Sequence, residues 1–311
     1  MKSIKDTIIV ILAAPSLFVL PTGSSFANGD APARITRSGY NLNFASDRAD
    51  QPYLPLENAN RELTDFGRGS EYPVNLSRHH IIPLNTLVAF YNKIVSNGEL
   101  EQFKFFFNSF AVKLSSFAAN VNPNDRCNSA SIANGNQAAN VSFAIAGGDA
   151  RNDNTAARVE GFDSFQEWYS WMPFNLFVGP SSDFRVDDPG EGFEINSNVI
   201  VGQDAYNRLS EIYNRMNEYL DSAPGMARNS LHTIANRMVI LMKKTSVYPL
   251  VASQWTEVAD AKGHPMYKIK TPKAGVDADL PTVNNEAVCP EAKRMGIEIQ
   301  SFYSYFPRDE L

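Results

Sequence analysis

The stretch Ser77-Arg78-His79-His80-Ile81-Ile82-Pro83 carries two of the four histidines in a chain of 311 residues. It follows the apolar residues Val74 and Leu76 and runs into an amphipathic segment. It therefore reads as a strand that ends where a helix begins. Neighbouring side chains on a strand point to opposite faces. Where the backbone twists out at a strand end, two neighbours can serve different tasks at one place. Imidazole suits two such tasks. Neutral, it ligates metal ions, and its ordinary pKa of about 6.5 makes it a general base near neutral pH.

Working outward, helical spacing predicts a helix over residues 85–95, with Leu87, Phe90, Tyr91, Ile94 and Val95 on one face and Gly98 as its stop. A second helix is expected over about 99–118, where Phe103, Phe106, Phe107, Phe110, Leu114 and Phe117 share a side. Residues 119–160 then turn rich in Asn, Ser, Ala and Gly and read as a long surface excursion. Ser164-Phe165-Gln166-Glu167 reads as a capping box that opens a short helix, which Pro173 ends. Residues 174–178 read as a short buried strand, and 179–194 as an acidic, glycine-bearing loop. Two amphipathic helices are expected over about 204–221 and 226–244. Strand patterns at 267–270 and 296–303 close the chain. Residues 28–70 are polar and turn-rich, an irregular leader.

His79-His80-Ile81-Ile82-Pro83 resembles the His-His-Ile-x-Pro signature of the HNH endonucleases, the ββα-metal or His-Me finger superfamily. It is most similar to the toxin-type branch with paired histidines. The resemblance implies that His79 binds a divalent metal and that His80 is the general base activating water against a phosphodiester. The family's next mark is an Asn followed by apolar residues on the second strand. Phe174-Asn175-Leu176-Phe177-Val178 matches it, and Asn175 would hold the finger loop and orient the base. The family then places a His, Asn or Asp ligand at the start of its closing helix. Ser181-Ser182-Asp183-Phe184-Arg185-Val186-Asp187-Asp188-Pro189-Gly190 offers three aspartates there. Asp183 and Asp187 are the expected ligands. Carboxylates suit Mg²⁺, with Zn²⁺, Mn²⁺ or Ni²⁺ as other candidate ions. Arg185 is expected to clamp the scissile phosphate. About 90 residues separate Pro83 from Asn175, so the implied finger is split by an insertion. The implied fold is α+β: one mostly helical nuclease-like domain over 28–311, carrying a split ββα-metal finger and a short C-terminal β segment.

Composition bounds that reading. Hydrophobic residues make 43% and charged residues 20%, a globular balance. The net charge is −6 and the pI about 5.3. That excludes coating of nucleic acid by bulk charge, which goes with a pI above about 9. It leaves room for an enzyme that meets a few phosphates through a metal. Lys2 and Lys5 precede an apolar stretch over residues 7–20 that Pro15 interrupts, followed by Ser25-Phe26-Ala27. This reads as a secretory signal peptide cut after Ala27, too short to anchor in a membrane, where about 20 apolar residues are needed. In an oxidising compartment Cys127 and Cys289 are expected to pair. The terminal Arg308-Asp309-Glu310-Leu311 resembles the retrieval signal of the endoplasmic reticulum.

The expectation is a secreted or periplasmic metal-dependent endonuclease of low sequence specificity, a bacterial toxin or effector acting on nucleic acid. Host endoplasmic reticulum is a possible destination, and an immunity protein or delivery partner would accompany such a toxin. Two other classes stand beside it. One is a secreted non-enzymatic binding protein, in which His79 and His80 are structural and 119–160 carries recognition. The other is a glycan hydrolase using two acids among Asp183, Asp187, Glu191 and Glu194. His232 is expected to be solvated, His264 to sit in the turn Lys262-Gly263-His264-Pro265 without a catalytic role, and Trp168 and Trp171 to belong to the core.

Overall fold

Phenylalanines at helical spacing organise the centre of the molecule. The computed structural model describes residues 50–56, 63, 74–121, 127–147, 160–226 and 228–271. The expected signal segment, Cys289, the 296–303 strand pattern and the terminal tetrapeptide lie outside the described residues. Those that are described form an α+β fold with two small antiparallel sheets. Strand β1 (Leu76–His80) leads into helix α1 (Leu84–Asn97). Gly98 closes α1 in a left-handed conformation, φ 70°, which glycine adopts without a Cβ penalty. A 3-10 turn (Leu100–Phe103) follows, then helix α2 (Lys104–Ala119). The single helix expected over 99–118 is thus a tight turn plus a helix. Phe103, Phe106, Phe107 and Phe110 are fully buried in a lattice with Tyr91, Phe165 and Tyr169. Each such ring stabilises by about 1.5–3 kcal/mol through removal from water, with edge-to-face geometry adding to it.

Within the Asn-rich segment, residues 129–146 are not a surface excursion. They form helix α3 (Ser129–Ala146), which packs against α2 and against α4 (Phe162–Ser170). Asn128 caps α3 by accepting from the Ser131 amide at 3.1 Å. The buried face combines small residues, Gly135, Ala138, Ala139 and Ser142, with Ile132, Val141 and Ile145. A Cβ on Gly135 would meet the Ala118 Cβ at 2.8 Å, so the helices touch through their backbones. Ser142 donates to the Phe107 carbonyl at 2.7 Å. Asn134 and Gln137 of α3 face α4. Asn134 Nδ2 donates to Glu167 Oε2 at 2.9 Å and to Ser164 Oγ at 3.2 Å. Ser164 and Glu167 therefore do not form the expected capping box. They bind the neighbouring helix, and Gly161, φ 82°, is the N-cap of α4 without a side-chain cap bond.

Strand β2 (Leu176–Pro180) follows a 3-10 turn at Pro173–Asn175. Short α5 (Asn198–Val201), then α6 (Gln203–Asp221) and α7 (Arg228–Leu241), complete the helical part. α6 packs on α1 and α7, and α7 packs on α2. Strands β3 (Trp255–Ala259) and β4 (Pro265–Ile269) form the second hairpin, of which only β4 was expected. Among the described residues, no helix is long and apolar enough to cross a membrane.

Candidate functional site

Strands β1 and β2, far apart in sequence, pair antiparallel. The register runs from Leu76 opposite Pro180 to His80 opposite Leu176. Pro180 lacks an N–H and sits at the end of the ladder, where none is needed. Beyond His80 the chain bends, and Asn175 fastens the bend. The Ile81 amide donates to the Asn175 carbonyl at 2.9 Å. The Asn175 side chain accepts from the Ile82 amide at 2.8 Å and donates to the Ile82 carbonyl at 2.9 Å. Asn175 is fully buried. It positions the histidine strand and does not face solvent.

His79 and His80 lie on opposite faces of the hairpin. His79 stacks on Phe177, its register partner, at 5.2 Å. Its Nε2 lies 2.7 Å from the Pro180 carbonyl and 2.9 Å from Ser77 Oγ. A carbonyl can only accept, so Nε2 carries the proton and Nδ1 bears the lone pair of the neutral ring. Burial and the nearby Arg185 guanidinium push the His79 pKa down to about 4, against the Pro180 hydrogen bond and the Asp188 and Asp187 charges. The ring is therefore neutral at pH 7. His80 lies against Trp171 at 4.7 Å, and its Nε2 is 2.8 Å from the Ser170 carbonyl. The same reasoning leaves His80 Nδ1 as its basic nitrogen.

The loop after β2 lies over the His79 face. Asp188 Oδ2 is 3.7 Å from His79 Nδ1, too far for a hydrogen bond. Two acceptors thus face one another. Burial raises the Asp188 pKa, but the Gly190 amide, the Ser182 hydroxyl, His79 and Arg185 outweigh it and hold the carboxyl below its usual range. The Gly190 amide donates to Oδ1 at 2.9 Å and Ser182 Oγ to Oδ2 at 2.8 Å.

The two expected ligands are placed differently. Asp183 is exposed in a 3-10 turn. Asp187 is committed to structure: Oδ1 accepts from Arg185 Nε and Nη2, both at 3.2 Å, and Oδ2 accepts from the Ile269 amide at 2.9 Å. The aspartate set against His79 is Asp188. The Asp188-x-Gly190 spacing is its sequence signal, because an Asp that binds the amide two residues on fixes its own carboxylate.

Arg185 is not at the surface, where a phosphate clamp would need it. Its side chain is 0% exposed and lies over the rings of Phe177 and Trp255. Nη2 donates to Glu194 Oε2 at 3.0 Å as well as to Asp187. Burial raises the Glu194 pKa, against the pull of Arg185. Trp255 also lies on Gly179, where a Cβ would come within 2.6 Å of the indole. Among the described residues, no three His, Cys, Asp or Glu side chains are grouped to hold a metal.

The remaining sequence candidates fall outside this cluster. His232 is exposed on α7, and His264 pairs with Asp260 in an exposed turn at 3.1 Å. Trp168 and Trp171 are core residues, as expected. Cys127 is described just before α3, whereas its expected partner Cys289 lies outside the described residues.

No protein-family model matches the chain, and no solved structure matches it. Over 152 residues it is 32% identical to "Putative protein p9" of Acyrthosiphon pisum secondary endosymbiont phage 1, covering 48% of this chain. The match spans 40% of the length of that relative.

Proposed function

We propose that this chain is a metal-dependent phosphodiesterase of the His-Me finger type, a nuclease that acts on nucleic acid and is exported. One observation carries the reading. The His79-His80 strand pairs antiparallel with the strand that follows Asn175 despite the long insertion, and Asn175 clamps the bend that follows His80 by its side chain and its carbonyl. This is the relation that the two sequence marks imply when taken together.

The residues present fit a hard divalent cation with two protein donors. His79 Nδ1 and Asp188 Oδ2 are acceptors 3.7 Å apart. Around them Asp187, Asp188 and Glu194 face one guanidinium, a balance that favours a cation. Mg²⁺ characteristically keeps several waters and takes one or two protein ligands plus substrate phosphate. When bound, such an ion supplies charge stabilisation for the phosphate and the leaving oxygen. His80 lies on the face opposite His79, so in this reading the substrate reaches round the strand end and His80 takes the proton of the attacking water on Nδ1, while its Nε2–H stays on the Ser170 carbonyl and fixes the ring. Asn175 keeps the backbone after His80 in place. Attack on the backbone phosphate needs no reading of bases, so low sequence specificity follows.

The test is nicking of supercoiled plasmid and cleavage of RNA with Mg²⁺, Mn²⁺, Ni²⁺ or Zn²⁺, with and without EDTA. Cleavage that EDTA abolishes and that His80→Ala lowers by about 10²–10⁴-fold supports the proposal. Absence of cleavage under all four metals, or full activity in His80→Ala, overturns it and leaves the non-enzymatic binding protein.

A further inference from the structure

Arg185 has a role that the nuclease reading did not assign. It is a permanently charged group with a fully buried side chain, directly behind the face of β2 that carries Phe177 under His79. Its contacts tie the acidic loop to separate parts of the fold. Through Asp187, whose Oδ2 holds the Ile269 amide, it reaches β4. Through Glu194, whose own amide donates to the Ile81 carbonyl at 3.0 Å, it reaches the bend after His80. Its guanidinium lies over Phe177 and Trp255, at 5.7 and 5.3 Å from the ring centroids. Asp188 is the next residue after Asp187, so its place opposite His79 is set by the same anchor.

The pairing is also incomplete in a telling way. Nη2 serves both carboxylates, while Arg185 Nη1 and Glu194 Oε1 have no hydrogen-bond partner among the described residues. A pair arranged for stability alone would close as a fork, with two parallel bonds to one carboxylate. Here the guanidinium is shared between two arms of the loop.

We propose that Arg185 is a positioning residue that, by gripping Asp187 and Glu194 at once, holds the 182–194 loop across the β1–β2 hairpin and so sets Asp188 against His79. The proposal rests on the reading of His79 and Asp188 as cation donors only for its metal-binding consequence. Its geometric content stands apart from that reading.

Two measurements on the full chain test it: amide hydrogen exchange at Gly190 and Glu194, and Mn²⁺ affinity from the EPR signal of free Mn²⁺. In Arg185→Leu, exchange at both amides is expected to speed up at least about tenfold while the α1 amides keep their protection. Mn²⁺ affinity is expected to fall by about 10–100-fold, the usual effect of losing a group that orients a ligand. Arg185→Lys keeps the charge but cannot bridge both carboxylates and lie against both rings. It should fold without regaining that affinity. If Arg185→Leu does not fold, Glu194→Gln, which weakens one arm, is expected to loosen Glu194 and weaken Mn²⁺ binding in a chain that still folds. Unchanged Gly190 protection and Mn²⁺ affinity in any folded Arg185 variant, or in Glu194→Gln, would overturn the proposal. If the wild-type chain binds no Mn²⁺, the cation reading fails, and exchange at Gly190 still decides the role of Arg185.

Discussion

Asn175 and Ile82 are 93 residues apart in sequence and joined by two buried hydrogen bonds, one in each direction between a side-chain amide and a backbone amide. A carboxamide is the group that can donate and accept at once in this geometry. Removing it leaves a buried N–H and a buried C=O of Ile82 without partners, each costing about 1–3 kcal/mol. Asn175→Ala is therefore expected to lower stability by about 3 kcal/mol in urea unfolding. Asn175→Asp should not rescue it, because a carboxylate oxygen would face the Ile82 carbonyl. Any nuclease activity should fall further than the stability loss explains, since the bend sets the backbone after His80.

The three aspartates of the loop separate by experiment. Asp188→Asn keeps size and the Gly190 and Ser182 contacts but removes the charge opposite His79. It is expected to weaken Mn²⁺ binding about 10-fold or more with a stability change within about 1 kcal/mol. Asp187→Asn should destabilise by about 3 kcal/mol, because it unpairs one arm of a buried ion cluster, and weaken Mn²⁺ binding as well by releasing the anchor that places Asp188. Asp183→Asn, at an exposed position, should change neither. Calorimetric titration and thermal melts on the same three variants check all of this.

Much of the scaffold was legible because helical periodicity of large apolar residues is a strong signal. Phe90, Tyr91, Phe106, Phe107 and Phe110 landed on buried faces as read. The pairing of β1 with β2 is observed, but no periodicity in the sequence signals it; only the resemblance implied that the two motifs meet. What periodicity does not carry was missed. Asp183, Asp187 and Asp188 look alike as residues, and only the turn that binds Gly190 and the bond to Ile269 tell them apart. Arg185 read as a phosphate clamp because a guanidinium matches phosphate geometry and the sequence shows no buried partner for it. Its burial depends on Trp255, which approaches from a strand the sequence did not reveal.

The His79 ring gives a pH dependence whose direction is fixed by its surroundings. Folded, its pKa is held down to about 4 by burial and by Arg185, whereas in the unfolded chain it returns to about 6.5. Between those values the unfolded state binds more protons, so stability rises with pH. The contribution is fully present above about pH 6.5 and is lost as the pH falls towards 4, with a total on the order of 3 kcal/mol. Glu194, whose pKa is raised, works in the opposite direction above about pH 4.5. The difference between wild type and His79→Asn isolates the histidine. Urea unfolding in EDTA at several pH values from 7 to 4.5 should show the wild type losing stability relative to the variant. A constant difference would mean that His79 is as free to protonate in the fold as out of it.

Gly135 tests the packing that replaced the expected surface excursion. At Gly135 the α2–α3 contact is made by small groups and backbone, so it has almost no room to adjust there. A methyl group at Gly135 would sit 2.8 Å from the Ala118 Cβ and 3.2 Å from the Leu114 carbonyl oxygen. Neither neighbour is the end of a flexible side chain, so the helices must separate. On helix propensity alone Gly135→Ala would stabilise by about 1 kcal/mol. The steric term should win, because forcing a methyl into a close-packed core costs about 1–3 kcal/mol. A net loss of about 1–2 kcal/mol in urea unfolding is expected, and the partner change Ala118→Gly should recover part of it by clearing the nearer of the two contacts. A net gain in Gly135→Ala would show that α2 and α3 stand further apart than their backbones now do.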